Sequence, residues 1–415
     1  MEAREQLIAL YVEVVHALGA RRLSRQACLR DLLPEPLPGG RRFVLGIGKV
    51  AAELYLGARD ALGELPAVLA VPEGSPGPPE VQGSIVGGHP LPTAGSLAAG
   101  EALLRAASAL GPKDAALVLL SGGGSALAES TTLALPDLLL VNDALLRSGA
   151  PIEEMNLIRA HLSRLKGGGL ARALFEAGVR RAVALVAVDV PKGGVRAVSS
   201  GPAAPDHGTY QGALEVIRRR EIALPEAALK LLHAGARGQL PETLKPGEPA
   251  DFIEHQVLCD MTSPSREAAR RAGRTCLQLP LVSGPLDEVA RSLIAAARAQ
   301  PGRLVVASGE PELRIPAAAP AGGRAQHLAL LVARALRGQR ADFLAAGTDG
   351  HDGNTSAAGA VVDGKTWDEA ERRGLRPAEA LASFAATPLL EALGLTIPER
   401  HSQAHCGELY LLLPG

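Results

Sequence analysis

Aromatic side chains are scarce in this chain, at 2% of 415 residues. A core must therefore be assembled from Leu, Val, Ile and Ala, and the same scarcity argues against stacking platforms for single-stranded nucleic acid. Charge of one sign is also lacking. The net charge is -1 and no basic block stands out, so there is no electrostatic footprint for nucleic acid or an anionic membrane. Cysteine is sparse and scattered, at Cys28, Cys259, Cys276 and Cys406, with no C-x-x-C pair. That argues against a disulfide scaffold or a zinc site and suits a reducing cytosol. No apolar run is long enough to span a bilayer. The opening segment carries acids from Glu2 onward with Leu7, Tyr11, Val14 and Leu18 at helical spacing. It reads as a surface helix, not a signal peptide. The expectation is a soluble, cytoplasmic protein with no nucleic-acid or membrane partner.

What the chain does contain is a repeated alternation of short apolar runs and amphipathic segments. At 415 residues two domains are the prior. Runs ending at Gly48, Val71, Val86, Leu120 and Val188 read as strands, with helices between them. This predicts a Rossmann-like, mainly parallel, three-layer α/β domain over residues 1–238. The polar segment 236–250, with three prolines and two glycines, marks the boundary. Residues 239–415 restart the alternation as a smaller α/β domain. Its strands are expected near 256–260, 277–281, 303–307, 341–346 and 408–413, with helices near 264–273, 286–300, 324–337 and 354–372.

Glycine loops at strand ends recur at 46–48, 121–125 and 347–353. Each can aim backbone N–H groups at an anion, with a helix dipole behind them. Lys49 follows Gly48 at a predicted helix start, where a cation opposes the dipole and an anionic ligand would relieve it. Arg324 follows Gly322-Gly323 and offers a bidentate fork, unless it is only a solvated surface arginine. No G-x-x-x-x-G-K-[ST] occurs, which excludes a P-loop enzyme. Ser125 lacks the closing glycine of G-x-S-x-G, which speaks against a serine hydrolase. Asp349 and Asp352, on a loop with three glycines, suit a hard cation and its phosphates. They equally suit a helix cap. Asp189, at a strand end, reads as a metal ligand, a general base or a turn former. His89, His161, His351 and Glu310 are weaker candidates.

Taken together, GIGKVA (46–51), GGHPLPTAG (87–95), LLSGGGSAL (119–127), HLSRLKGGGLA (161–171), SSGPAAPD (199–206), GGRAQ (322–326) and GTDGHDGNTSAAGA (347–360) stand in a familiar order. Over residues 1 to about 370 the chain resembles the glycerate 2-kinases with a carboxy-terminal MOFRL domain. The resemblance implies ATP- and Mg²⁺-dependent phosphorylation of D-glycerate at its 2-hydroxyl, giving 2-phosphoglycerate, in a cleft between two α/β domains. It implies that Lys49 and Arg324 contact substrate or the transferring phosphate. Gly48 and the run Ser121, Gly122, Gly123, Gly124 and Ser125 would cradle phosphates. Arg159, Arg164 or Lys166 would meet the glycerate carboxylate. Asp189, Asp349 and Asp352 fall in matching acidic motifs; a Mg²⁺ role for them, or proton acceptance by Asp189, is read from carboxylate chemistry.

Three departures stand out. Pro191-Lys192-Gly193-Gly194 lacks two acids of the family pattern, Ala325-Gln326-His327 lacks an amide and an acid, and residues 399–407 replace a polar run. Two rival readings remain. One is an NAD(P)-dependent hydroxypyruvate reductase using GIGKVA with Glu73; the other is a non-catalytic binding protein. Oligomeric state is open, a homodimer being one option.

Overall fold

The computed structural model describes residues 3–30, 33–77, 81–316, 319–400 and 402–415; Met1, Glu2 and His401, which entered the sequence reading, lie outside them. The chain forms two compact units, Ala20–Leu258 and Met1–Gly19 with Cys259–Gly415.

The unit Ala20–Leu258 is built on a sheet of β1 (Arg42–Ile47), β2 (Ala67–Val71), β3 (Ser84–Val86), β4 (Ala115–Leu120), β5 (Arg181–Ala187) and β6 (Glu254–Cys259). Their order is β3-β2-β1-β4-β5-β6. The four pairings from β3 through β5 are all parallel. β4 is buried at every position, as a parallel strand covered on both faces must be. On one face Leu45, Ile47, Val118, Leu120 and Val186 pack with Leu103 and Leu170 from the helices Ala94–Ser108 and Gly169–Glu176. On the other, Val44, Leu69, Leu117, Leu119 and Leu185 pack with Leu54 and Tyr55 of the helix Ala51–Leu62. Each such leucine contributes about 1.5–3 kcal/mol by leaving water. The expected three-layer arrangement is present. Its second helix starts at Ala51, which leaves Lys49 in the turn before it.

The units divide after Leu258, downstream of the polar segment at 236–250. Beyond that segment β6 adds a sixth strand to the first sheet. The helix Ala3–Ala17 belongs to the other unit, where Leu7, Tyr11 and Val14 are buried. There the Tyr11 hydroxyl donates to the Gly347 carbonyl at 2.7 Å. Helical periodicity reveals that a face is buried, not which core receives it.

The second sheet comprises β7 (Cys276–Gln278), β8 (Leu304–Gly309), β9 (Ala341–Gly347), β10 (Ala357–Asp363), β11 (Thr396–Pro398) and β12 (Glu408–Pro414). Their order is β11-β10-β9-β12-β8-β7. Only β7–β8 is parallel among the described pairings; β8–β12, β12–β9, β9–β10 and β10–β11 are antiparallel. The helix expected over 354–372 is instead β10 followed by the short helix Thr366–Arg372. The small residues Ala357-Ala358-Gly359-Ala360 allow close strand approach. A Cβ on Gly359 would lie 2.1 Å from the Ala345 carbonyl oxygen. Burial between two strands has overridden the helix propensity of alanine. Phe343, Ala345, Tyr410 and Leu412 pack on the helix Arg324–Ala335 through Leu328 and Val332. Among the described residues no helix is long and apolar enough to cross a membrane.

Candidate active site

In the unit Ala20–Leu258 the strand order reverses between β1 and β4, which lie side by side and parallel. Loops leaving the carboxyl ends of such a pair form the ligand crevice of open α/β sheets. Here the loops are Gly48-Lys49 and Ser121–Ser125, and they are laced together. The Lys49 amide donates to the Gly122 carbonyl at 2.9 Å, and the Val50 amide to Ser121 Oγ at 3.1 Å. Gly48 has φ 132, and a Cβ there would lie 2.2 Å from Ser121 Oγ. Ser121 is therefore a buried tie between loops.

The triple glycine leaves room for side chains from three directions. A Cβ on Gly122 would fall 1.4 Å from Asp189 Oδ2, so the carboxylate that follows β5 covers this glycine. A Cβ on Gly123 would lie 2.9 Å from Lys49 Cγ and 3.0 Å from His89 Cδ2. Burial, and then the Lys49 charge, hold the His89 imidazole below its ordinary pKa, which favours the neutral ring. Ser125 Oγ lies 2.7 Å from Ser200 Oγ, which donates to Asn156 Oδ1 at 3.1 Å. Ser199 and Ser200 have φ 54 and 58, left-handed conformations that cost serine about 1–3 kcal/mol each and gather at functional sites.

The three cations read as partners for a substrate carboxylate have different surroundings. Arg164 is paired with Glu101. Lys166 is paired with Glu129, both side chains being 3% exposed. Arg159, on the helix Ile152–His161, makes no ion pair among the described residues, and its Nε has no hydrogen-bond partner. Burial lowers its pKa, with Glu129 opposing.

In the other unit Arg324 opens the helix Arg324–Ala335. Its Nε donates to Glu408 Oε1 at 2.6 Å, its Nη1 to the Pro311 carbonyl at 3.0 Å and its Nη2 to Glu310 Oε1 at 3.2 Å. Burial works against the guanidinium charge, but Glu408 and then Glu310 raise its pKa above the ordinary value. The Tyr410 hydroxyl donates to the second oxygen of Glu408.

Asp352 accepts from the Ala325 amide at 3.0 Å, the Gln326 amide at 2.8 Å and Gln326 Nε2 at 3.0 Å. It caps the helix that Arg324 opens, from outside that helix, and burial raises its pKa against those donors. Asp349 is half-buried and accepts from the His351 amide at 3.1 Å. His351 pairs with Glu399 at 2.9 Å.

Among the described residues no three His, Cys, Asp or Glu side chains gather as a metal cage. Mg²⁺ does not need one, because it binds through one or two carboxylates together with substrate phosphates. Asp349, on its glycine loop, is a carboxylate of that kind, whereas both oxygens of Asp352 accept from the amides of the helix Arg324–Ala335. Glu408 and Tyr410 escaped the sequence reading. The available signal was an acid heading an otherwise apolar strand.

Glycine-lined loops at a sheet's reversal point, with a lysine and a carboxylate against them, mark the ligand crevice of an open α/β fold. Residues 6–233 match the profile of a domain of unknown function (DUF4147), and residues 303–405 match the MOFRL family. The chain is 31% identical over 372 residues to the glycerate 2-kinase of Pyrococcus horikoshii, covering 86% of this chain and 83% of that one. It is 32% identical over 381 residues to the D-glycerate 2-kinase of Thermotoga maritima, covering 87% of each. A protein of Agrobacterium vitis with a provisional hydroxypyruvate reductase name is 35% identical, over 92% of this chain and 89% of its own. The crystal structure of the Thermotoga maritima glycerate kinase matches with a TM-score of 0.88 at 27% identity, covering 99% of both chains. The chain belongs to the glycerate kinase family with a MOFRL domain, and it is a kinase.

Proposed function

We propose that the protein is a glycerate 2-kinase that transfers the terminal phosphoryl group of ATP to the 2-hydroxyl of D-glycerate, giving 2-phosphoglycerate and ADP. The observation that carries this reading is the placement of Asp189 against Gly122 and of Lys49 against Gly123, at the point where the strand order reverses. Phosphoryl transfer asks for positioning and cancellation of charge more than for covalent chemistry. The Lys49 ammonium neutralises the transferring phosphoryl above the glycine amides. Asp189 accepts the proton of the 2-hydroxyl as it attacks. Arg159, whose Nε has no protein partner, holds the glycerate carboxylate. Arg324 adds a guanidinium for the phosphoryl oxygens, the group best suited to bidentate contact. Asp349 is the carboxylate suited to Mg²⁺, which would supply neutralisation of nucleotide phosphate charge.

The sheet order is also that of dinucleotide-binding folds, which favours the rival NAD(P)-dependent hydroxypyruvate reductase. In that reading the first glycine of G-x-G-x-x-A belongs in a turn. Here Gly46 lies inside β1, where a Cβ would sit 2.5 Å from Leu69 Cδ2. The reductase also gives Lys49 no task. The test is one assay with D-glycerate, ATP and Mg²⁺, read by phosphorus NMR. A 2-phosphoglycerate signal is expected. No product, with NADH consumed when hydroxypyruvate is supplied, would replace this reading by the reductase.

A further inference from the structure

We propose that Glu408, pinned by Tyr410, is the positioning residue that fixes the orientation of Arg324 through its Nε, so that the two N–H groups left over, one on Nη1 and one on Nη2, are kept for an anion. The inference rests on the role of Arg324 in phosphoryl transfer stated above.

A free arginine side chain samples many rotamers, and its planar fork binds a phosphoryl group well only when its plane is fixed in advance. Three of the five N–H groups of Arg324 are engaged by protein, and their partners differ in kind. Glu408 heads β12 in the interior of the sheet, paired with Gly309 of β8 on one side and Gly347 of β9 on the other. Its backbone is therefore held by both neighbours, and its side chain is only 7% exposed. Tyr410, two residues on and wholly buried, points from the same face of the strand and donates to the oxygen that Arg324 does not use. Glu408 thus has one oxygen fixed by Tyr410 and the other aimed at Nε. Glu310 is its opposite: 45% exposed, on a loop, and bonded to Nη2 at the guanidinium's outer edge. It is the contact that an incoming phosphate would displace, while the Nε contact stays.

A purely structural account fits less well. Burying a carboxylate carries a desolvation penalty that an ion pair offsets only with good geometry, and apolar replacements are often as stable. A buried Glu–Tyr–Arg chain that ends on the first residue of a helix, beside two glycine-terminated strands, is an expensive way to hold a sheet together. It is a direct way to hold one guanidinium still.

The experiment is a double-mutant cycle on the full chain, with D-glycerate, ATP and Mg²⁺ as reactants, kcat and both KM values as kinetic readouts, and thermal midpoints as a check on folding. Glu408→Gln should lower kcat by about tenfold while moving each KM by less than about threefold, the split expected of a contact made in the transition state. Tyr410→Phe should lower kcat by about threefold with its fold intact. In an Arg324→Ala background, Glu408→Gln should cause no further loss. Full additivity of the two losses, or a fully active Glu408→Gln beside a slow Arg324→Ala, overturns the positioning role alone. Wild-type turnover in Arg324→Ala overturns it together with the reading of Arg324. Should Glu408→Gln fail to fold, the Tyr410→Phe cycle with Arg324→Ala decides, and additive losses there overturn the proposal.

Discussion

The Asp189 carboxylate occupies the space that a side chain on Gly122 would need, with Oδ2 only 1.4 Å from where a Cβ would be. Gly122→Ala must therefore displace Asp189 or the loop. Misplacing a reacting group by about 1 Å can cost about 100-fold in rate, while overpacking costs about 1–3 kcal/mol of stability. We expect turnover to drop by more than tenfold, a bound taken well inside that range, in a protein that still unfolds cooperatively. Wild-type kcat would remove Asp189 from the reaction.

Lys49 lies over the same loop. Lys49→Ala should lower kcat at least about tenfold, the scale of a lost charge contact in phosphoryl transfer. Its backbone amide bond to Gly122 is retained in the variant, so circular dichroism and the thermal midpoint should match the parent protein.

Arg159 and Lys166 should separate into binding and stability. Arg159→Ala should raise KM for D-glycerate and leave the thermal midpoint nearly unchanged. Lys166→Ala strands the Glu129 carboxylate, 3% exposed, without its cation. Breaking one side of such a buried pair costs about 3–5 kcal/mol. Denaturant melts and substrate titrations on both variants would check the contrast, and an unaltered KM in Arg159→Ala would dismiss its assigned role.

The two loop acids should likewise part company. Asp352→Ala uncaps the helix Arg324–Ala335 and leaves two amides unsatisfied, a loss of about 1–3 kcal/mol visible in urea melts. Asp349→Asn should leave the melt alone and raise the Mg²⁺ concentration needed for half-maximal turnover. An unchanged Mg²⁺ requirement would withdraw Asp349 as a ligand.

Glu408 gives the pH dependence a definite sign. Burial, with Arg324 opposing, raises its pKa from 4.5 to about 7. Between those values the folded state holds a proton that the unfolded state releases. Its contribution to stability is therefore full below about pH 4.5 and is lost as the pH rises to about 7. Turnover should run the other way, falling below about pH 7 as Glu408 is protonated and loosens its hold on Arg324. Glu408→Gln should flatten both trends, and pH–rate and pH–melt profiles compared with the parent would reveal it.

The parallel sheet of the first unit was legible in the sequence because its strands are uniform apolar runs ended by glycine, a signal that depends on neighbours close in the chain. Lys49, Asp189 and the triple glycine were legible for the same reason, each being a strand-end residue. Residues 357–363 were misread because alanine favours a helix locally, and the two strands that bury it come from residues 341–347 and 396–398. The duties of Asp352 and Glu408 were hidden because their partners, Ala325 and Arg324, lie 27 and 84 positions away. Charge type is written in the sequence; the choice of partner is written in the fold.

The helix Ala3–Ala17 has consequences for the order in which the molecule can assemble. It leaves the ribosome ahead of the whole of Ala20–Leu258, yet the unit it joins resumes only at Cys259. The intervening unit can complete its sheet, apart from the last residue of β6, while that helix still lacks its partners. Its apolar stripe of Leu7, Tyr11 and Val14 has no partner until the helix Ser263–Arg271 is made, and the Tyr11 hydroxyl waits for β9 to bring Gly347. The strand that joins β8 to β9, β12, is made later still. During synthesis the unit that carries Arg324 is therefore the exposed one, and a stalled ribosome would leave Arg324 without the Glu408 that orients it.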